Sequence, residues 1–273
     1  MIGNRVHFLP IVDSTNNYVA NLLSSGNLAH GTVILAETQT AGKGQRGNTW
    51  VSSGGKQFTA SIFLETAFLS VEQMVALNMM VALSVQQCIS SFIAEDVLIK
   101  WPNDILVNDK KIAGILIETQ IASGKVKSAI CGIGINLVAE SNQASSTNLF
   151  ELAGTNVAPF VLLDAFIPIL TKNFQQLKAF QFDEIKANFD TSNKQIQALA
   201  QVIDDSILRN YKLWPTNYIA YDILHKTNTY KHLYTENEKS LFERRLEMRI
   251  DHCNPFALQS FLAMYANPVV NKL

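Results

Sequence analysis

The strongest constraint on the fold is a long hairpin between residues 111 and 137. Residues 111–120 and 126–137 are rich in the apolar and β-branched residues typical of strands. Ser123-Gly124 lies between them and supplies a short turn. Two such strands joined by a tight turn pair in the antiparallel direction. The sequence therefore predicts an antiparallel pair as one fixed part of a sheet.

Strands and helices alternate around this hairpin. Further strands are predicted at residues 32–38, 58–64, 97–101 and 105–107, the last two being interrupted by Pro102. Helices are predicted from a cap at Asp13-Ser14-Thr15 to Gly26, over residues 71–92, and over residues 159–180 with a bend near Pro168. From residue 192 onward the patterns are helical. We therefore expect one domain over residues 1–190 and a helical C-terminal region of unknown role over residues 191–273.

Charge and cysteine usage exclude several classes of protein. The chain has 22 basic and 23 acidic residues, a balance that argues against a broad electrostatic grip on nucleic acid. Cys88, Cys131 and Cys253 are far apart and form no CxxC pair, so neither a disulfide framework nor a zinc site is indicated. We expect a soluble protein of the reducing cytoplasm, because the N-terminus has no apolar signal core and polar residues interrupt the longest apolar stretch.

A glycine-rich loop at residues 42–47 reads Gly-Lys-Gly-Gln-Arg-Gly. It fits the dinucleotide pattern GxGxxG, but a polar loop and a strand follow where a helix is required. It also misses the phosphate-loop pattern, because Asn48-Thr49 stands where Lys-Ser/Thr belongs. The remaining functional interpretation is an anion site, in which the glycines let backbone N–H groups approach the anion closely and Lys43 and Arg46 supply positive charge. Trp50 could cover a ring of the ligand. For this loop alone, a surface segment with two solvated cations is an equally good interpretation.

The segment Lys100-Trp101-Pro102-Asn103-Asp104 presents a cation, an amide and a carboxylate where a strand stops. Asp104 could bind Mg²⁺ or accept a proton, and Lys100 could pair with a phosphate. By itself, a tight polar turn with Trp101 in the core is the slightly favoured interpretation.

Three more segments combine polar and small residues. Lys111 enters a strand that continues with the small residue Gly114, and residues 132–137 carry two glycines followed by Asn136. Glycine inside a strand often marks close approach by a ligand or another backbone. Residues 13–16 could face a polar ligand, although capping residues are their ordinary interpretation. Solvated lysines and a bulged core strand are the ordinary alternatives for the first two.

Together these segments resemble the biotin–protein ligase family. The residues DSTN, ETQTAGKGQRG with a following Trp, KWPND, KKIAGIL and GIGINL occur in the family's order, and the match runs from Asp13 to about Leu137 and more loosely to about Asn188. The resemblance implies an α/β (α+β) fold, a mixed β-sheet flanked by helices and related to the class II aminoacyl-tRNA synthetase core. It also implies two half-reactions, in which biotin and ATP form biotinyl-5′-AMP and a carrier lysine then takes the biotin.

The resemblance implies roles for particular residues. Those expected to bind biotin are Ser14, Thr15, Asn16, Gln39, Gly42, Lys43, Gly44, Lys111 and Gly114. Those expected to bind ATP or the adenylate are Lys43, Gln45, Arg46, Trp50, Asn103, Lys111 and Asn136. Lys111, Asp104 and Lys100 are expected to be catalytic, and Asp104 to bind Mg²⁺. The implied partner is a biotin carboxyl carrier protein or domain, and a homodimer is compatible with the family.

The chain departs from the family pattern in two places. Lys43 and Gln45 stand where the glycine-rich loop often has arginines, which removes bidentate donors. Residues 195–273 are predicted to be helical where the family usually has a small SH3-like barrel. Twelve residues precede Asp13, so we expect no winged-helix DNA-binding domain and no repressor function. The alternatives are a lipoate or octanoate transferase of the same fold and a non-catalytic biotin-binding protein.

Overall fold

The structure is a computed structural model that describes residues 1–26, 28–52, 54–138 and 145–194. Its main element is a seven-stranded sheet with the strand order β1-β2-β3-β7-β6-β5-β4. The strands are β1 (Val6–Val12), β2 (Val33–Gln39), β3 (Gln57–Glu65), β4 (Val97–Lys100), β5 (Asp104–Val107), β6 (Lys110–Ala122) and β7 (Lys125–Asn136). β1 and β2 are parallel, whereas the pairs β2–β3, β3–β7, β7–β6 and β6–β5 are antiparallel. The mixed sheet and the hairpin expected from the sequence are therefore confirmed.

Five α-helices accompany the sheet in the part of the chain that the structure describes. They are α1 (Thr15–Ser24), α2 (Met74–Ser90), α3 (Leu149–Ala153), α4 (Pro159–Lys178) and α5 (Phe182–Ser192). The predicted helices over residues 71–92 and 159–180 are confirmed as α2 and α4, and α2 begins at Met74 rather than at residue 71. α2 and α4 pack together, and Asn173 Nδ2 donates a hydrogen bond to Ser84 Oγ at 3.0 Å between them.

The helices cover opposite faces of the sheet. On one face, Val19 of α1 packs against Ile34 of β2. On the other, Phe8 of β1 contacts Phe160 of α4, with ring centroids 5.6 Å apart. Phe8 lies in register with Leu35, the residue after Ile34, and neighbouring residues of a strand point to opposite faces. The face that carries α1 is the one on which the polar residues described below are placed.

β1 was not predicted from the sequence. Val6, Phe8 and Ile11 are exposed, so the strand lacks the clear alternation of buried and exposed residues that marks a half-buried strand. Pro10 has no N–H to donate to a ladder, which restricts such a strand to the edge of a sheet. β1 is indeed the edge strand of this sheet.

Residues 1–99 and 103–189 form one compact unit, and of the described residues, 100–102 and 190–194 do not belong to it. Residues 195–273 lie outside the described residues, so the boundary near residue 190 and the helical C-terminal region stay predictions. The polar stretch at residues 140–148 predicts a loop, and residues 139–144 also lie outside the described residues. None of the helices within the described ranges is long and apolar enough to cross a membrane.

Candidate functional site

The start of α1 forms one wall of the candidate site. Ser14 caps the helix, and its Oγ accepts a hydrogen bond from Asn17 N at 3.5 Å. Thr15 N donates a hydrogen bond to Gln39 Oε1 at the end of β2 at 2.7 Å, and Thr15 Oγ1 lies 3.1 Å from the same oxygen. Ser14, Thr15 and Gln39 are all buried. The capping function expected as the ordinary role of these residues is therefore present, together with a fixed polar contact to the sheet.

A chain of polar groups continues from Thr15 across the sheet. Ser61 Oγ of β3 lies 2.7 Å from Thr15 Oγ1 and 2.6 Å from Asn16 Oδ1. Asn16 Nδ2 donates to Glu118 Oε2 of β6 at 2.7 Å. Gly132 of β7 makes room for this amide, because a Cβ there would lie 2.4 Å from Asn16 Oδ1. Ser61 and Glu118 were not among the residues predicted from the sequence, although a serine in the apolar strand FTASIFL is a recognisable signal.

The glycine-rich loop forms a hairpin over this face. We call residues 41–52 the lid. Trp50 N donates to Gly42 O at 3.0 Å and Gly44 N to Asn48 O at 2.7 Å, so the two arms of the lid pair. The tip turns at Arg46, whose φ is 58°. Lys43 Nζ lies 4.0 Å from Glu118 Oε1, where the lid approaches the polar chain.

Trp50 lies on two glycines that are directly paired between neighbouring strands, Gly114 of β6 and Gly134 of β7. We call this pair the glycine floor. A Cβ on Gly134 would lie 2.2 Å from Trp50 Cε2, and one on Gly114 would lie 3.2 Å from Trp50 Cζ3. The indole Nε1 is buried and has no hydrogen-bond partner within the described residues. The floor is thus a flat surface that accepts a ring, and in this structure the ring is the protein's own indole.

A lysine and a carboxylate border the glycine floor. Lys111 Nζ lies 2.6 Å from Asp104 Oδ1 and 5.9 Å from the centroid of the Trp50 ring. Asn136 Nδ2 donates to the backbone carbonyls of Lys111 at 3.4 Å and Thr147 at 3.1 Å. The side chain of Lys111 is 37% exposed, so the ammonium can still reach a ligand. Asn136 holds the backbone on which Lys111 is placed.

Most of the residues predicted from the sequence are connected by these contacts. The residues so connected are Ser14, Thr15, Asn16, Gln39, Gly42, Lys43, Trp50, Asp104, Lys111, Gly114 and Asn136. Gln45 and Arg46 form the turn at the tip of the lid, beside Gly44. Asn103 contributes its backbone carbonyl, which accepts a hydrogen bond from Ile115 N at 2.8 Å. Lys100 ends β4 and does not belong to the compact unit of residues 1–99 and 103–189, so it is not placed with the others.

The chemistry of the site is that of carboxylate, ammonium, amide and hydroxyl groups. Cys131 lies behind the site in β7, and burial raises the pKa of its thiol to about 12, so it is not a nucleophile near neutral pH. Within residues 1–26, 28–52, 54–138 and 145–194, no cluster of three or more His, Cys, Asp or Glu side chains could hold a metal ion. Asp104 offers a single carboxylate there, and it is paired with Lys111.

The fold and the site define a class of α/β protein that has a lid-covered polar site on one face of a mixed sheet. The model of the biotin/lipoate A/B protein ligase family matches residues 8–136. The biotin–[acetyl-CoA-carboxylase] ligase of Paracoccus denitrificans is 30% identical over 185 residues, which are 64% of this chain and 75% of that protein. The chain belongs to the biotin/lipoate A/B protein ligase family.

Two further relatives define the extent of the likeness. The bifunctional ligase/repressor BirA of Escherichia coli is 33% identical over 150 residues, or 54% of this chain and 44% of that protein. The chain thus spans less than half the length of that relative. Among solved structures, a biotin protein ligase from Aquifex aeolicus in complex with biotin and ATP is 26% identical, with a TM-score of 0.61 over 70% of this chain and 79% of that one.

Proposed function

We propose that this chain is an ATP-dependent biotin–protein ligase. It would form biotinyl-5′-AMP and transfer the biotin to a lysine of a carboxylase biotin carrier protein. The observation that carries the proposal is the Lys111–Asp104 pair at the border of a glycine floor that accepts a ring. Membership of the family and the likeness to a ligase that binds biotin and ATP support the same assignment.

The first half-reaction needs charge neutralisation more than a base. A biotin carboxylate is ionised near neutral pH, since carboxylic acids have pKa values of about 4. Its oxygen attacks the α-phosphorus of ATP, the bond to pyrophosphate breaks, and a mixed anhydride forms. Lys111 would hold the carboxylate and then the adenylate phosphate, so its ammonium offsets negative charge as the two anions meet. Arg46 and the backbone N–H groups of the lid would add to this positive field.

Mg²⁺ would accompany the ATP phosphates and offset their charge. The protein would then supply one carboxylate oxygen from Asp104, with phosphates and water providing the other ligands, as is common for Mg²⁺. That carboxylate is 2.6 Å from Lys111 Nζ in this structure. Binding of the metal by Asp104 therefore requires Lys111 to turn towards the substrate.

The second half-reaction needs a neutral amine. The carrier lysine attacks the acyl carbon of the anhydride, the bond to the phosphate oxygen breaks, and AMP leaves. The amine loses a proton, and a free lysine has a pKa of about 10.4, so a nearby acceptor helps. Asp104 would orient the amine and take this proton once Lys111 has turned to the phosphate. The Asp104 side chain is 23% exposed, although its Oδ1, which faces Lys111, is buried.

The neutral part of the substrate would lie against the start of α1. The ureido ring of biotin has two N–H donors and one carbonyl acceptor. Ser14, Thr15 and Gln39 are buried and offer matched hydroxyl and amide groups. Burial without such partners would be costly for a polar ring. Trp50 would leave the glycine floor when the ligand enters and then cover it from above.

Pyrophosphate release tests the proposal. Purified chain with biotin, ATP and Mg²⁺ should release pyrophosphate, and adding a biotin carrier domain should release AMP with biotin attached to one lysine. Release with lipoate or octanoate in place of biotin would assign the chain to the lipoate branch. Binding of biotin without pyrophosphate release would make it a non-catalytic biotin-binding protein.

A cytoplasmic location and a homodimer belong to the same proposal. The homodimer is tested by analytical sedimentation.

A further inference from the structure

The polar chain from Glu118 to Thr15 has a defined direction of hydrogen bonds. A carboxylate has only acceptors, so the neighbour of Glu118 Oε2 at 2.7 Å must be the NH₂ of Asn16. The opposite amide orientation would set two acceptor oxygens against each other. Asn16 Nδ2 also lies 3.4 Å from Leu116 O, a second acceptor. Glu118 therefore fixes Asn16 with its Oδ1 facing Ser61.

Ser61 transmits this direction. Its hydroxyl has one proton, and its 2.6 Å neighbour Asn16 Oδ1 can only accept. That proton is therefore used on Asn16. The short 2.7 Å separation between Ser61 Oγ and Thr15 Oγ1 also needs a proton between the oxygens, which Thr15 must supply. Gln39 Oε1 is the competing acceptor at 3.1 Å, and it already accepts Thr15 N at 2.7 Å.

The hydroxyl of Thr15 then faces an incoming ligand as an acceptor. Its proton is directed to Ser61, and its lone pairs remain for a donor from the ligand. We propose that Glu118, acting through Asn16 and Ser61, makes this site specific for a ring that carries an N–H group. This inference rests on the proposed function, and it adds Ser61 and Glu118 as positioning residues that need not touch the substrate. A ureido ring has the required donor, whereas the dithiolane ring of lipoate has none.

Two substitutions interrupt the chain at different points. Glu118→Gln replaces the carboxylate by an amide that can donate, so Asn16 is free to turn over and the direction of the chain is no longer fixed. Ser61→Ala removes the link between Asn16 and Thr15 and leaves the Lys43–Glu118 contact in place. If both variants have the same effect, that effect is assigned to the hydrogen-bonded chain from Glu118 to Thr15 and not to the lid.

Matched controls lie away from the site. Glu184 accepts a hydrogen bond from Gln176 Nε2 at 2.8 Å on another part of the protein. Glu184→Gln therefore makes the same chemical change as Glu118→Gln but leaves the hydrogen bonds from Glu118 to Thr15 intact. Ser84 is completely buried and donates to Met80 O at 2.8 Å, so Ser84→Ala removes a buried hydroxyl elsewhere. Both controls should bind every ligand as the unmodified chain does. Circular dichroism confirms that each variant is folded.

Calorimetric titration with four small molecules tests the inference. Biotin and desthiobiotin have the ring N–H groups and lipoate lacks them, while ATP reports on the rest of the site. Glu118→Gln and Ser61→Ala should each raise Kd for biotin and desthiobiotin by about threefold to tenfold, as expected for one neutral hydrogen bond. Their Kd for ATP and lipoate should stay within about twofold of the unmodified chain.

A third variant separates positioning from general loss of structure. If Ser61 acts through Thr15, the effects of Ser61→Ala and Thr15→Val on Kd for biotin should not add in the double variant. Additive effects, equal losses for biotin and ATP, or no change in either single variant would overturn the inference. Failure of the unmodified chain to bind biotin would instead refute the proposed function.

Discussion

Gly134→Ala tests whether the indole of Trp50 occupies the glycine floor when no ligand is present. The new Cβ would lie 2.2 Å from Trp50 Cε2 and 2.3 Å from Trp50 Cζ2, where ordinary contacts are 3.4 to 4 Å. The indole must therefore retreat by more than about 1 Å. β7 is hydrogen-bonded between β3 and β6 in the sheet, which holds its backbone in place. The new Cβ therefore has to displace Trp50 and the lid.

The size of the effect follows from the cost of overpacking. Inserting a methyl group into a filled space costs about 1–3 kcal/mol. If the lid alone responds, that cost lowers the ratio of molecules with the indole on the floor to molecules with it off the floor by about 5-fold to 150-fold. Gly114→Ala is the matched comparison, because its Cβ would lie 3.2 Å from Trp50 Cζ3 and a shift of a few tenths of an ångström relieves it. We expect a much smaller change there.

Fluorescence without ligands measures the outcome. The chain has three tryptophans, so the signal of Trp50 is obtained by subtracting the spectrum of the same variant with Trp50→Phe. Gly134→Ala should shift this difference emission to the red and raise its quenching by acrylamide, whereas Gly114→Ala should leave both near their original values. The same Trp50 emission and quenching in Gly134→Ala and the unmodified chain would show that the indole does not lie on the floor in solution.

Four other outcomes are expected. Lys111→Ala should lower the rate of pyrophosphate release by about tenfold to hundredfold, since a charge-assisted hydrogen bond contributes about 1.5–3 kcal/mol. Lys110→Ala, at the exposed neighbouring residue, should leave the rate unchanged. A normal rate in folded Lys111→Ala would remove Lys111 from the mechanism. Cys88 and Cys131 should resist iodoacetamide in the native protein, because burial raises both pKa values to about 12. The folded pKa values of the two thiols exceed the unfolded value, so their contribution to the free energy of unfolding should be fully present below about pH 8.5 and decline as the pH rises towards 12. Peptide mass spectrometry measures the labelling, and urea titrations measure the free energy of unfolding. Labelling of native Cys131 would contradict its burial. Hydrogen exchange of residues 42–50 should slow when biotin and ATP bind, and equal exchange in both states would count against a closing lid.

Local signals accounted for much of the fold. The cap at Ser14 predicted the start of α1, and the turn at Ser123-Gly124 predicted the β6–β7 hairpin. These features depend on residues that are close in sequence, so composition and spacing are sufficient to identify them. The paired glycines of the floor were flagged as sites of close approach, and Trp50 is the group that approaches them.

The contacts that build the site could not be read in the same way. Ser61 and Glu118 meet Asn16 only because β7 lies between β3 and β6, and strand order is a property of the whole sheet. The Lys111–Asp104 pair depends likewise on the β5–β6 register, which shifts at a bulge near Ile105 and Leu106. β1 was missed for a different reason, since an exposed edge strand gives no pattern of burial.

The alternation of side chains along β7 should divide the effects of substitution into two interleaved classes. Gly132, Gly134 and Asn136 point towards α1 and the lid, whereas Ile133 and Ile135 point the other way and are buried. In a library covering every residue of this strand, changes at the isoleucines should reduce the amount of soluble protein. Changes at the intervening positions should leave the yield largely intact and reduce biotin attachment per molecule. A two-residue period in the ratio of activity to abundance would then be visible along a single strand.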